Sequence, residues 1–319
     1  MRQANDDWAE NKMTRIVCLM AMTILTSTAL AQSTVLPNVP PGVQAISLLG
    51  EELRSAEPGE RVLDNLAAAR AEYEQDPNDA DNIIWLGRRI AYTGDYRGAI
   101  EVFTEGVRKH PDDARFYRHR GHRYISIREL DRAIADFERA AKLIEGTDDE
   151  VEPDGAPNPA GIPVSTLHSN IWYHLGLAYY LTGDLDNALR VYEIAIAQTP
   201  NDDMRVATTH WQYMSLRLLG RDAEAQAALE PIHEDMNVIE SMPYHQLCLL
   251  YKGESESGTV LSANITAAGG DSAMYGLANW HYYNGRLDEA KAGFEEMIGK
   301  SGWASFGRIA AESDLARKY

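Results

Sequence analysis

The chain has 319 residues, of which 45% are hydrophobic and 24% charged, a balance typical of a folded protein and not of a disordered one. Its formal net charge of -18 repels nucleic-acid phosphates and anionic lipid, so neither is an expected partner. Its two cysteines, Cys18 and Cys248, are too few for a disulfide framework, and stability must come from packing.

Residues 1–31 have the order of a secretory signal peptide. Lys12 and Arg15 precede an apolar run over 16–25, and Ala-Leu-Ala follows at 29–31. This order predicts cleavage before Gln32 and a periplasmic or secreted product without stable membrane insertion. A retained N-terminal anchor is the alternative, and the start can be Met1 or Met13.

The segment 32–79 is predicted to be a linker followed by a helix pair, over 44–54 and 59–75. Leu63, Leu66, Ala69 and Tyr73 recur at helical spacing in the second helix, and Pro77 follows it. No strand is expected anywhere in the chain.

One phrase recurs from residue 80 onward. It reads Thr-Gly-Asp-Tyr-Arg-Gly-Ala at 93–99, Thr-Gly-Asp-Leu-Asp-Asn-Ala at 182–188 and Asn-Gly-Arg-Leu-Asp-Glu-Ala at 284–290, and a copy at 128–133 lacks the glycine. Large and small residues keep fixed offsets around each copy. In the clearest unit they are Trp172, Leu175, Gly176, Tyr179, Ala188, Tyr192, Ala195 and Pro200.

This spacing resembles the tetratricopeptide repeat, whose period is about 34 residues, and in particular that of exported bacterial members. The resemblance implies an all-α fold: a right-handed α-solenoid of stacked helix-turn-helix repeats with a C-terminal capping helix. It implies repeat units 1 and 2 over 80–145, further units, some degenerate, over 167–302, and the capping helix over 303–319. A glycine such as Gly176 is expected to let the two helices of a unit approach closely.

An acidic, Pro/Gly-rich loop over 146–166 interrupts the repeats. It contains Pro153, Pro157 and Pro159, with five acidic residues between Asp148 and Asp154. This composition favours a long disordered loop.

Catalytic and metal-binding signatures are missing from the sequence. Phe294 stands where a phosphate loop ending at Ser301 needs glycine, and Asn237 stands where a zincin motif needs its second histidine. His119 and His122 are three apart on one predicted helix, but the surrounding arginines oppose a bound cation. We therefore expect no enzyme activity, cofactor or metal.

A basic patch, in contrast, stands out in this acidic chain, between Arg115 and Arg128. In tetratricopeptide-repeat proteins the first helix of each unit lines the concave surface, and positions two, five, nine and twelve point into it. Arg120 departs from the pattern because a core leucine is usual there. Carried over by the resemblance, the predicted groove residues are Arg88, Arg115, Arg118, His122, Asn170, Tyr173, Tyr180, His210, Met214, Arg217, Tyr275, Asn279 and Tyr282.

The resemblance implies a protein- or peptide-binding scaffold, of a group that often acts in cell-envelope assembly. Arginine, asparagine and tyrosine suit an acidic segment or a C-terminal carboxylate, although the Lys/Asn pattern of the carboxylate-clamp subfamily is absent. A glycan-binding protein or an enzyme using the same groove is the alternative. The arginines can also simply pair with acids on adjacent helices, namely Asp112, Asp113, Asp131 and Asp136.

Overall fold

The computed structural model describes residues 35–258, 260, 270–299 and 302–319. The predicted signal peptide and Cys18 lie outside these residues. Val39–Tyr319 form one structural unit, and only 35–38 of the preceding unit are described. Among the helices described, none combines the length and apolar character needed to cross a membrane.

Thirteen α-helices and one short β-hairpin are described. In chain order they are β1 (Ala45–Ile46), β2 (Glu52–Leu53), α1 (Glu60–Gln75), α2 (Ala80–Tyr92), α3 (Tyr96–Lys109), α4 (Ala114–Ser126), α5 (Leu130–Leu143), α6 (Leu167–Thr182), α7 (Leu185–Ala197), α8 (Asp202–Leu218), α9 (Asp222–Leu229), α10 (Met242–Lys252), α11 (Gly270–Tyr283), α12 (Leu287–Ile298) and α13 (Phe306–Lys318).

The helices pack as hairpins: α2 with α3, α4 with α5, α6 with α7, α8 with α9, and α11 with α12. Three glycines allow the two helices of a hairpin to approach closely. Gly87 faces the Phe103 ring, Gly121 the Phe137 ring and Gly176 the Tyr192 ring. In the first three of these pairs the second helix also contacts the first helix of the next pair, as stacking requires: α3 contacts α4, α5 contacts α6, and α7 contacts α8. The prediction of an all-α solenoid of stacked helical hairpins is confirmed.

The recurring phrase forms the turn inside each hairpin. Gly94 and Gly183 adopt φ of +87° and +85°, which is strained for other residues, and the following aspartates cap the next helix. In the copy without glycine, Arg128 takes the equivalent place at φ +67°. The backbone turn is therefore kept even where the sequence changes.

The helix predicted over 44–54 is wrong. β1 and β2 pair antiparallel there, with Ala45 opposite Leu53 and Gly50 in the turn at φ +87°. Val43 and Ala45 are buried while Ile46 is exposed, a period of two that favours a strand over a helix. The hairpin also contradicts the expectation of a chain without strands.

The C-terminal helix α13 covers the last hairpin, where it packs on α11 and α12, and it also contacts α6. Ser313 Oγ donates to the Leu181 carbonyl at 2.6 Å. Just before α13, Trp303 Nε1 donates to the Arg54 carbonyl at 2.8 Å, beside the β-hairpin. The C-terminal segment therefore joins the last repeat to the middle and the beginning of the described chain.

The acidic loop is folded back onto the repeats, which contradicts the prediction of disorder. Val151 pairs with Thr166 in an isolated β-bridge, and Glu152 N donates to the Ser165 carbonyl at 3.2 Å. Thr166 and Ser169 then cap the start of α6 reciprocally. Local composition suggested disorder, but these backbone bonds and one buried ion pair fix the loop.

Candidate peptide-binding groove

Arg118 on α4 is the most deeply buried arginine of the predicted groove, at 7% exposure. Its Nε lies 2.9 Å from Glu152 Oε2, and its Nη1 donates to His119 Nδ1 at 3.1 Å. Burial lowers the pKa of Arg118, and the Glu152 carboxylate opposes that effect. The carboxylate of the acidic loop therefore supplies the counter-charge that this buried guanidinium needs.

Two further helices hold the same loop. Asn170 Nδ2 on α6 donates to Glu152 Oε2 at 3.1 Å, and Arg89 Nη1 on α2 donates to the Gly155 carbonyl at 3.1 Å. Residues 151–155 thus lie across the first helices of three successive hairpins, α2, α4 and α6. We call this segment the internal acidic segment.

Arg115 does not bind the loop. Its guanidinium pairs with Asp113 at 2.6 Å and with Asp81 at 2.7 Å, and the Asp113 hydrogen bonds are the main cause of its raised pKa. Arg120 similarly pairs with Asp136, at 2.7 Å. For these two arginines, pairing with helical acids is the arrangement in the structure.

The predicted groove residues of the later repeats are mostly buried. The hydroxyl oxygens of Tyr180 and Tyr275 are hydrogen-bonded at 2.5 Å, and Asn279 Nδ2 donates to the Tyr180 hydroxyl at 2.8 Å. Tyr275 also donates to Asp314 Oδ2 on α13, at 2.9 Å. Burial raises the pKa of both tyrosines well above its usual range. The groove predicted as open at these positions is filled by α13.

Tyr173 on α6 and His210 on α8 are also buried. Trp211 Nε1 donates to the Tyr173 hydroxyl at 2.8 Å, and His210 Nδ1 lies 3.3 Å from the Tyr251 hydroxyl. Met214 is fully buried as well. The offsets predicted these positions as groove residues, and in the structure their side chains are buried.

The remaining predicted residues are half-buried. Arg217 pairs with Asp222 at 2.8 Å and stacks over Tyr283, while Lys318 lies over the Tyr282 ring at 3.9 Å. Arg88 and His122 lie on α2 and α4 around a cavity next to Arg118. Only this N-terminal part of the predicted groove combines basic side chains with accessible space.

Two carboxylates that occupy the inner surface, Glu152 and Asp314, were not in the predicted site. A signal for the first was present: the acidic run at 148–154 and the basic patch on α4 have opposite charge. Asp314 had no comparable signal, because its contacts depend on where α13 lies.

Metal binding finds no support in the described ranges, which contain no group of three or more histidine, cysteine or acidic side chains arranged around a common point. Burial and nearby arginines lower the pKa of His119 and His122 well below its usual range. Burial likewise raises the pKa of the Cys248 thiol, so that group stays protonated.

Comparison with known proteins gives two family models, both described as tetratricopeptide repeat, over 86–149 and 169–202. A curated relative, the BBSome complex member BBS4 of Bos taurus, is 24% identical over 140 residues, covering 44% of this chain and 23% of that protein. The match thus spans less than a quarter of that relative.

Solved structures with a similar fold include a tetratricopeptide repeat protein from Parabacteroides merdae, 12% identical, with 78% of this chain and 92% of that one covered and a TM-score of 0.48. MamA is 22% identical, with coverage of 51% and 81% and a TM-score of 0.41. YrrB, described as a TPR protein with an unusual peptide-binding site, is 16% identical, with coverage of 72% and 91% and a TM-score of 0.40.

The family matches fall on the helical hairpins. The first runs from within α2 to beyond α5, and the second from within α6 to the start of α8. They include Gly87, Gly121 and Gly176, the three glycines that face an aromatic ring of the partner helix. The repeat phrase, the hairpin packing and the family models together show that the chain contains tetratricopeptide repeats, over 86–149 and 169–202.

Proposed function

We propose that the protein is a non-catalytic scaffold that binds an extended acidic segment of a partner protein across α2, α4 and α6. The observation that carries this proposal is the internal acidic segment, which already lies on that surface. Its Glu152 carboxylate contacts Arg118 at 2.9 Å, and its Gly155 carbonyl accepts from Arg89. A partner with the same chemistry would gain the same ion pair and the same hydrogen bond from an arginine.

Partner binding on this surface is then a competition. The internal acidic segment is tethered at both ends, so its effective concentration at Arg118 is high. An external peptide therefore binds weakly unless it makes additional contacts or the internal segment is released. This is why a variant without the Glu152 carboxylate is the informative one.

The glycan-binding alternative draws no support from the tyrosines that suggested it. Tyr173, Tyr180 and Tyr275 are at most 7% exposed, and each hydroxyl is hydrogen-bonded within the protein. Their faces are not available for stacking on a sugar ring.

We extend the proposal to the cell compartment. The basic, apolar and Ala-Leu-Ala order of residues 1–31 supports export to the periplasm or medium and a role in envelope assembly. N-terminal sequencing of the native protein tests this: Gln32 is the expected first residue, and recovery of residues 1–31 in a cytoplasmic fraction would contradict it.

The groove is tested with a fluorescent peptide carrying residues 148–155, Asp-Asp-Glu-Val-Glu-Pro-Asp-Gly. In anisotropy titrations the Glu152→Ala protein should bind it at least tenfold more tightly than wild type, because Arg118 has lost its internal partner. Binding should weaken as salt rises, since part of the contact is exposed.

Two further variants complete the test. Adding Arg118→Gln to Glu152→Ala should remove the gained affinity, whereas adding Arg139→Gln should not. Arg139 is a suitable control because its side chain is 40% exposed and pairs with Asp112, which lies outside the groove. Equal binding by wild type and Glu152→Ala, or unchanged binding after Arg118→Gln, would show that the groove does not recognise acidic segments.

A further inference from the structure

A cavity of about 200 Å³ lies between α2, α4 and the loop over 152–165. It adjoins the contact between Arg118 and Glu152 but is not filled by it. Three guanidinium groups line this cavity, those of Arg88, Arg118 and Arg123, together with the rings of His119 and His122.

The three arginines differ in their partners. Arg118 has Glu152, as described above. Arg88 packs over the Trp85 ring at 4.4 Å, and Arg123 packs over the Tyr96 ring at 5.2 Å. Neither Arg88 nor Arg123 forms a salt bridge or hydrogen bond with a carboxylate anywhere in the part of the chain that is described. Both guanidinium groups keep their donors available to a ligand.

Acidic groups at the cavity are held elsewhere. Asp154 and Glu240 line its rim, but both are exposed. Asp154 Oδ1 accepts from Ala156 N at 2.9 Å, and Glu240 Oε1 accepts from Asn158 Nδ2 at 2.6 Å. The three arginines are matched in number by Glu152, Asp154 and Glu240, but of these carboxylates only Glu152 forms an ion pair with a lining arginine among the described residues.

The pKa values of Arg123 and His119 show that positive groups lie close together in this cavity. Burial, together with the charges of Arg118 and Arg88, lowers the pKa of Arg123 to about 10. Burial and the same arginines also lower the pKa of His119. Lowering of this kind arises where positive groups crowd together out of water.

We propose that this cavity binds a small oxyanion with two or more negative charges, a phosphate-bearing or polycarboxylate compound, and that Arg88 and Arg123 are its principal ligands. Planar guanidinium groups suit such ligands because they can donate two parallel hydrogen bonds to a pair of oxygens. The proposal goes beyond the peptide-binding function. An acidic partner replaces the internal acidic segment, whereas the oxyanion binds with that segment in place.

The experiment is isothermal titration of the full chain with inorganic phosphate and, separately, with citrate, against sodium chloride at matched ionic strength. We expect saturable binding of at least one oxyanion and none of chloride. Phosphate binding identifies a phosphate-bearing ligand, and citrate binding alone identifies a polycarboxylate. In the variants Arg88→Gln and Arg123→Gln, the dissociation constant should rise at least tenfold.

Arg139→Gln is the matched control, since it removes a guanidinium that lies outside the cavity, and it should bind like wild type. Circular dichroism establishes whether each variant is folded. If Arg88→Gln is not folded, Arg88→Lys, which keeps the charge, is used in its place. Absence of oxyanion binding, or equal binding by wild type and both glutamine variants, would overturn the proposal. Neither outcome affects the peptide titrations, because those compare wild type with Glu152→Ala and are made without added oxyanion.

Discussion

The Arg128 guanidinium and the Glu312 carboxylate lie 2.6 Å apart, although 184 residues separate them in the chain. Glu312 is fully buried, and it also accepts from Leu48 N in the β-hairpin turn. Arg128 Nη2 in turn donates to the Trp303 carbonyl at 2.7 Å. One ion pair therefore joins the second repeat turn, the N-terminal hairpin and α13.

Replacing Arg128 with glycine sets two effects against each other. Glycine relieves the φ of +67°, which costs another residue about 1–2 kcal/mol. It also leaves a buried carboxylate without its main partner, which costs about 3–5 kcal/mol. We expect Arg128→Gly to lower the free energy of unfolding by about 1–4 kcal/mol in urea titrations, and hydrogen exchange of α13 to rise. A variant at least as stable as wild type would mean that the pair does not hold α13.

The hairpins could be predicted because their determinants are local. Gly176 and Tyr192 are 16 positions apart within one unit, and the turn glycine with its capping aspartate fixes their geometry. The same logic led to the prediction of groove positions on each first helix. It could not give their exposure, since that depends on which distant segment packs against them.

The internal acidic segment shows why the rest of the site was missed. Glu152 contacts a residue on α4 and another on α6, and neither contact follows from local propensity. Proline and acidic content favours disorder only when nothing binds the segment. Here a buried guanidinium binds it, so opposite charges in different elements were the usable signal.

The hairpin glycines give a second prediction. A methyl group on Gly176 would overlap the Tyr192 ring, whereas on Gly121 it would lie 3.0 Å from Phe137, where a small shift suffices. Alanine raises helix propensity by a similar amount at both positions, so the difference isolates the clash. Gly176→Ala should be less stable than Gly121→Ala by about 1–3 kcal/mol in urea denaturation. Equal stabilities would show that α6 and α7 approach no more closely than α4 and α5.

Buried histidines make the stability sensitive to acid. Burial lowers the pKa of His210 to about 3, and burial together with the Arg118 charge lowers that of His174 to about 3. Both folded values lie below the unfolded value near 6.5, so between these limits the unfolded chain binds protons that the folded chain does not. Their contribution to stability is complete above about pH 6.5 and is lost as the pH falls toward 3.

His210→Phe isolates one of these contributions. Phenylalanine keeps a ring against Tyr244 and Tyr251, and it removes an Nε2 that has no hydrogen-bond partner among the described residues. Each histidine that stays neutral in the folded protein lowers the free energy of unfolding by about 1.4 kcal/mol for each pH unit below its unfolded pKa. In urea titrations from pH 7.5 to 5, the free energy of unfolding should therefore fall less steeply with decreasing pH in the variant than in wild type. The difference in slope should be about that value, since the carboxylates contribute equally to both proteins. Parallel curves would mean that His210 gains its proton in the folded state, and that this part of the inner surface is open to water.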